Sequence, residues 1–144
     1  GGFFDTSEEV LGTRLKGIDD TPHPSANSLA IMLLIKLAFI RDKQEYRALA
    51  EKALKLFSSW GQEAGVHGGY YFSALDAFYN GLELTLNASP GTELAERALS
   101  TFRPYAAFAY GQEQEGNVTP CVRNVCYESI KEPDILQKFL STPI

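Results

Sequence analysis

The chain has 144 residues, 44% apolar and 22% charged, which suffices for one domain with a real core, or one plus a small appendage. Its net charge of −5, without any cluster of Lys and Arg, excludes the basic footprint that nucleic acid or anionic lipid requires. The longest apolar stretch, residues 29–40, contains Lys36 and falls short of the roughly 20 residues that span a bilayer, so it reads as a buried helix.

In chain order, residues 1–24 are rich in Gly, Asp and Pro and read as loop, with a short extended piece at Phe3 and Phe4. A helix is expected to start between Ser25 and Ser28, where small polar side chains cap free N–H groups, and to run to Ile40. Apolar residues surround it, so both of its faces need cover. Asp42-Lys-Gln-Glu45 has the pattern of a capping box and opens a second helix, expected to reach Trp60. Its apolar set Tyr46, Leu49, Ala50, Ala53, Leu54 and Phe57 lies opposite Arg47, Glu51, Lys52 and Lys55, as on a surface helix. An all-apolar helix joined by a short turn to an amphipathic one is the hairpin unit of helical bundles and toroids.

After a Gly-rich loop, Tyr71, Phe72, Leu75, Phe78 and Tyr79 predict a shorter helix that closes at Gly81. Residues 82–86 alternate as a strand does, and Ser89-Pro90 is expected to cap a helix burying Leu94, Ala95, Ala98, Leu99 and Phe102. Residues 105–110 and 118–127 predict two further strands, and residues 133–140 a last helix. The expected fold class is mainly α with an α/β tail: helical hairpins over residues 1–81, then a small β-α-β unit over 82–144.

The densest polar constellation is Arg14, Lys16, Asp19, Asp20, His23, Ser25 and Asn27, in the loop that enters the most apolar helix. In a toroid of helical hairpins such loops sit at the mouth of the central cavity, where carboxylates act as general acid and base. Asp20 and His23 are the catalytic candidates, and Arg14, Lys16, Ser25 and Asn27 the ligand-binding ones. Glycoside chemistry needs two carboxyl groups flanking the scissile bond, and the adjacent Asp19 and Asp20 diverge, so a second group has to come from elsewhere. The plain alternative for the loop is a helix-capping turn with a solvated salt bridge.

Neither His23 nor His67 stands at metal-ligand spacing, so no metal site is expected, and no motif calls for a cofactor. Cys121 and Cys126 are five apart, which places them on opposite faces of one regular strand. Two free buried thiols are therefore expected, in a cytoplasmic protein; a disulfide would need a turn at Arg123 and Asn124.

Gly1-Gly-Phe-Phe-Asp-Thr6, Arg14-Leu-Lys16, Asp20 and Pro24-Ser-Ala-Asn-Ser28 before an apolar helix form one motif; Cys121-Val-Arg-Asn-Val-Cys126 followed by Glu132-Pro-Asp134 forms a second. Together they resemble the spermatogenesis-associated, thioredoxin-domain-containing family. The resemblance implies a larger protein with an N-terminal thioredoxin-like domain followed by an (α/α)6 toroid akin to six-hairpin glycosidases and N-acylglucosamine 2-epimerases. This chain, which opens without an initiator Met, would supply the last hairpins and the α/β tail, with Arg14, Lys16, Asp20, Ser25 and Asn27 facing the cavity. Fold analogy alone does not establish a reaction.

The leading expectation is thus a cavity that binds a carbohydrate-like ligand, with glycosidase- or epimerase-like turnover confined to the whole protein. The competing one, from a different class, is a non-catalytic interaction module serving the thioredoxin-like domain. On its own the chain is expected to self-associate through residues 29–40, since an all-apolar helix without cover draws partners.

Overall fold

The computed structural model describes all residues except 62, 113, 114, 124, 143 and 144. Among the described residues the elements in chain order are helices α1 (Ala26–Ile40), α2 (Gln44–Leu56), α3 (Ser58–Gly61) and α4 (Gly69–Asn80), strand β1 (Leu82–Asn87), helix α5 (Glu93–Ser100), strands β2 (Ala107–Tyr110), β3 (Asn117–Val122) and β4 (Val125–Cys126), and helix α6 (Pro133–Ser141). The chain forms two compact units, Gly1–Phe78 and Tyr79–Ile144.

The expected run of toroid hairpins with an α/β tail is overturned. The chain is a mixed α/β protein in which only α1 and α2 pair as consecutive long helices, and nearly half its length builds a four-stranded sheet with its own helices. The physical reason lies in residues 1–81, where α1 and α2 are followed by α3, a single turn of four residues, and by α4, which runs into β1 rather than into a further helix. The period-2 alternation of β1 buries Leu82, Leu84 and Leu86 on one side, so the chain leaves the helical period there and continues into a sheet.

In the first unit, Ser25 caps α1: its Oγ accepts from the Ser28 N–H at 3.1 Å and donates to the Ser28 Oγ at 2.6 Å. Helix α1 buries Ile31, Leu34, Ile35 and Ala38, and α2 answers with Ala50, Ala53 and Leu54. The capping box expected at Asp42 does not form. Asp42 takes the left-handed conformation, φ 48°, so the helix starts two residues later behind Lys43, which makes no side-chain cap bond. On the outer face of α2 the Lys55 ammonium lies 2.6 Å from Glu51 and holds that carboxyl below its ordinary range, first through the hydrogen bond and then through charge. Because the folded value is depressed, this small contribution is present at neutral pH and fades as pH falls through the carboxylate range.

Tyr71 of α4 anchors the rest of the unit: its hydroxyl donates to the Leu54 carbonyl at 3.1 Å, and its ring meets Trp60 edge-on. At the start of the chain, Gly1 and Gly2 press against α2. A Cβ on Gly1 would lie 2.1 Å from the Lys52 carbonyl oxygen, and Gly2, at φ 71°, touches Leu56 and Phe57.

In the second unit the sheet order is β2-β1-β3-β4. Strand β1 runs parallel to β2, through the crossover helix α5, and antiparallel to β3. Thr92, not Ser89, caps α5, so Pro90 lies outside the helix. One face of the sheet carries Leu82, Leu84, Leu86 and Val118 into a core closed by Leu94 and Ala98 of α5 and Leu136 and Leu140 of α6. The stretch expected as one strand over residues 118–127 is a hairpin, β3 turning into β4 with Val122 opposite Val125. Beyond it, Tyr127 N–H donates to the Pro120 carbonyl, while Val118 and Ile130 exchange both their bonds, so Glu128 and Ser129 together oppose Thr119 in a one-residue bulge.

Because Leu84 is fully buried at the middle of this core, Leu84→Ala is expected to destabilise the second unit by about 3 kcal/mol, the loss of transfer energy plus a cavity. Urea unfolding followed by hydrogen exchange at β1 and β3 amides measures it.

Candidate functional site

The polar residues singled out in the loop before α1 are brought together, but in three separate tasks. Asn27, on the first turn of α1, is fully buried. Its Oδ1 accepts from the Phe3 N–H at 2.7 Å, and its Nδ2 donates to the Phe3 carbonyl at 3.0 Å and to the Gly17 carbonyl at 2.7 Å. The carboxamide therefore stands in for a piece of sheet ladder, holding two stretches of the loop at once.

Asp20 is half-buried and performs the same service further along. One carboxylate oxygen accepts from the Ser25 N–H at 2.9 Å, the other from the Tyr70 N–H at 2.7 Å. The second bond places a negative charge at the first turn of α4, where unpaired N–H groups and the helix dipole favour it. The Asp20 N–H donates to the His67 carbonyl at 2.9 Å, and His67 Nδ1 lies 3.4 Å from the Asp20 carbonyl oxygen. Asp5, which the sequence reading passed over, accepts from the Gly17 N–H at 2.8 Å.

Arg14 and Lys16 meet over the ring of Phe4, with the guanidinium carbon 3.9 Å and the ammonium 4.4 Å from its centroid. Both cations also donate to backbone: Arg14 Nε and Nη2 to the Thr6 carbonyl at 3.0 and 2.8 Å, Lys16 Nζ to the Gly1 carbonyl at 2.6 Å. His23 is exposed, with Nδ1 3.3 Å from the Pro24 carbonyl oxygen, and Asp19 is exposed as well. The Thr21-Pro22 peptide between these residues is cis.

Chemically, this arrangement is a clasp. Asp20 and Ser25 are joined by one bond, Asn27 and the two cations work on other stretches of backbone, and His23 stands apart from all of them. Among the described residues each buried polar side-chain atom has a partner. No three His, Cys, Asp or Glu side chains among them gather closely enough to hold a metal ion. No helix among them is long and apolar enough to cross a membrane.

A separate cavity of about 220 Å³ opens in the second unit at the carboxyl end of β1, lined by Ala88, Ser89, Thr92, Leu94, Gly116 and Lys131. Its Thr92 hydroxyl is committed to the α5 cap and to the Ser89 carbonyl, at 2.8 Å. On the other face of the sheet, Cys121 and Cys126 stand directly opposite one another across β3 and β4 and form a disulfide, with Cα atoms 4.0 Å apart. This replaces the expected pair of free thiols. The turn that permits it has Arg123 in the left-handed conformation, φ 52°; its neighbour Asn124 lies outside the described residues.

Comparisons of the chain with protein-family models, with curated proteins and with solved structures each found no match.

Asn27→Ala removes a fully buried carboxamide together with its three hydrogen bonds to backbone, and is expected to lose about 2–3 kcal/mol of stability. Arg14→Ala, which returns an exposed carbonyl to water, is expected to lose under about 1 kcal/mol. Thermal unfolding of the two variants side by side tests the clasp, and equal losses would refute it.

Proposed function

We propose that this chain is a non-catalytic interaction module in a protein of the spermatogenesis-associated, thioredoxin-domain-containing family that its two motifs resemble. The observation that carries the reading is the outer face of α1. Leu29, Leu33 and Ile40, spaced 4 and 7 residues apart on one stripe that the exposed Lys36 also shares, are 46%, 57% and 48% exposed. Three large aliphatic side chains aligned this way match the knob spacing of helix-to-helix packing, so the partner is another apolar helix surface. The charges of the clasp support the same reading from the other side. Of the residues expected to hold a carbohydrate-like ligand, Ser25 and Asn27 are buried and committed to the α1 cap and to backbone, and Asp20 gives both carboxylate oxygens to backbone N–H groups.

A cytoplasmic location requires the Cys121–Cys126 bond to be open there, because the cytosolic thiol systems keep such pairs reduced.

With α1 left uncovered, the isolated chain is expected to self-associate at micromolar concentration in sedimentation velocity, and Leu29→Glu with Leu33→Glu to leave a monomer with unchanged helix content by circular dichroism. A wild-type chain that sediments as a clean monomer contradicts the reading. So does an association that the double variant leaves intact.

A further inference from the structure

The Cys121–Cys126 disulfide belongs to the second unit and plays no part in the interaction reading. Four features distinguish it from a bond that holds a fold together. It closes a ring of only six residues inside a hairpin already in register, where the chain-entropy gain from a cross-link is at its smallest. It belongs to the sheet face away from the core of Leu82, Leu84, Leu86, Val118, Leu136 and Leu140, which contains neither cysteine. It pins the outermost strand at its weakest place, since Pro120 shares a hydrogen-bonding position with Tyr127 and has no N–H to complete the exchange. Its two sulfurs also differ in access: Cys121 is buried on the inner strand β3, whereas Cys126 is exposed on the edge strand β4.

We propose that Cys121–Cys126 is a thiol–disulfide exchange site that accepts two electrons from a protein dithiol attacking at Cys126. The incoming thiolate bonds to Cys126 Sγ, the S–S bond breaks, and its electron pair leaves on Cys121 Sγ, which then takes up a proton. The second thiolate of the dithiol next attacks its own sulfur in the mixed disulfide, expelling the Cys126 thiolate, which is protonated in turn. The chain gains two electrons and two protons, and the partner becomes a disulfide.

A dithiol rather than a monothiol is required by the geometry. After the first attack, Cys121 remains across the strand pair, with its Cα 4.0 Å from that of Cys126, and it recloses the original bond at the high effective concentration of an intramolecular group. A second monothiol arrives by diffusion and loses that competition. A dithiol carries its own intramolecular thiol and wins it. Opening the bond releases β4, while the Val118–Ile130 bridge and the Tyr127–Phe139 ring contact hold the chain beyond it.

The test uses the whole chain under native conditions, with thiol content read by alkylation and mass spectrometry. Dithiothreitol is expected to reduce the pair at least about tenfold faster than glutathione at equal thiol concentration, with the far-ultraviolet circular dichroism unchanged. A thioredoxin-type protein whose resolving cysteine is replaced by serine is expected to form only a short-lived mixed disulfide, caught by acid quenching and located on Cys126. With Cys121→Ser, which leaves Cys126 as a free thiol without a reclosing partner, oxidised glutathione is expected to leave a lasting mixed disulfide on Cys126, its second half departing as the glutathione thiolate. Equal rates for the two reagents, trapping on Cys121, or reduction only after the chain is unfolded in denaturant would each overturn the proposal, and the first and last are read on the wild-type chain alone.

Discussion

The buried carboxamide of Asn27 is the constraint from which the first unit takes its shape. The first 24 residues have hardly any ladder of their own, beyond a small bridge between Val10 and Thr13, yet they pack against helices and so remove backbone groups from water. Asn27 supplies both an acceptor and donors from a helix that is rigid for other reasons, and so fixes Phe3 and Gly17 relative to α1. Once these two points are fixed, Asp5 can reach the Gly17 N–H, and Arg14 and Lys16 come to lie over Phe4. Asp20 extends the same logic to α4, which it meets through the Tyr70 N–H. A residue that looks like chemistry in the sequence is, in the fold, a substitute for secondary structure.

The second unit meets the same requirement by regular pairing, and its irregularities collect at one edge. The β1–β3 pair is continuous over its six residues and backs onto the aliphatic core. On the far side of β3, the pairing is interrupted by a proline, by a one-residue bulge and by a strand of only two residues. Such devices keep an edge from recruiting another chain's strand.

Much of the local structure was legible in the amino-acid pattern. Helix α1 begins behind Ser25 because a small hydroxyl there meets a free N–H, and β1 follows from the alternation of Leu82, Leu84 and Leu86. What escaped was decided by backbone conformation or by distance along the chain. Asp42 adopts a left-handed φ in place of capping α2, and the left-handed Arg123 turns one anticipated strand into two, which moves Cys126 from the opposite face to the facing position. Parity along a strand reverses its meaning once a turn intervenes. Two of the partners of Asp20, His67 and Tyr70, are 47 and 50 residues away, and no local pattern announces a hydrogen bond across such a gap. The toroid expectation failed within residues 1–81: it multiplied the α1–α2 hairpin, whereas α3 is a single turn and α4 runs on into β1 rather than into a further helix.

The clasp also sets an order of events during synthesis. Residues 1–20 leave the ribosome before their fixed points, which lie at Asn27 and, for Asp20, in residues 67–70. Until those have been made, the segment has nothing to hold it to a helix. The α1–α2 hairpin, whose contacts are close in sequence, can form in the meantime. Residues 1–20 are thus made before α1 and α2 but settle after them, and a ribosome that stalled before Tyr70 would display a helical hairpin with a loose segment ahead of it.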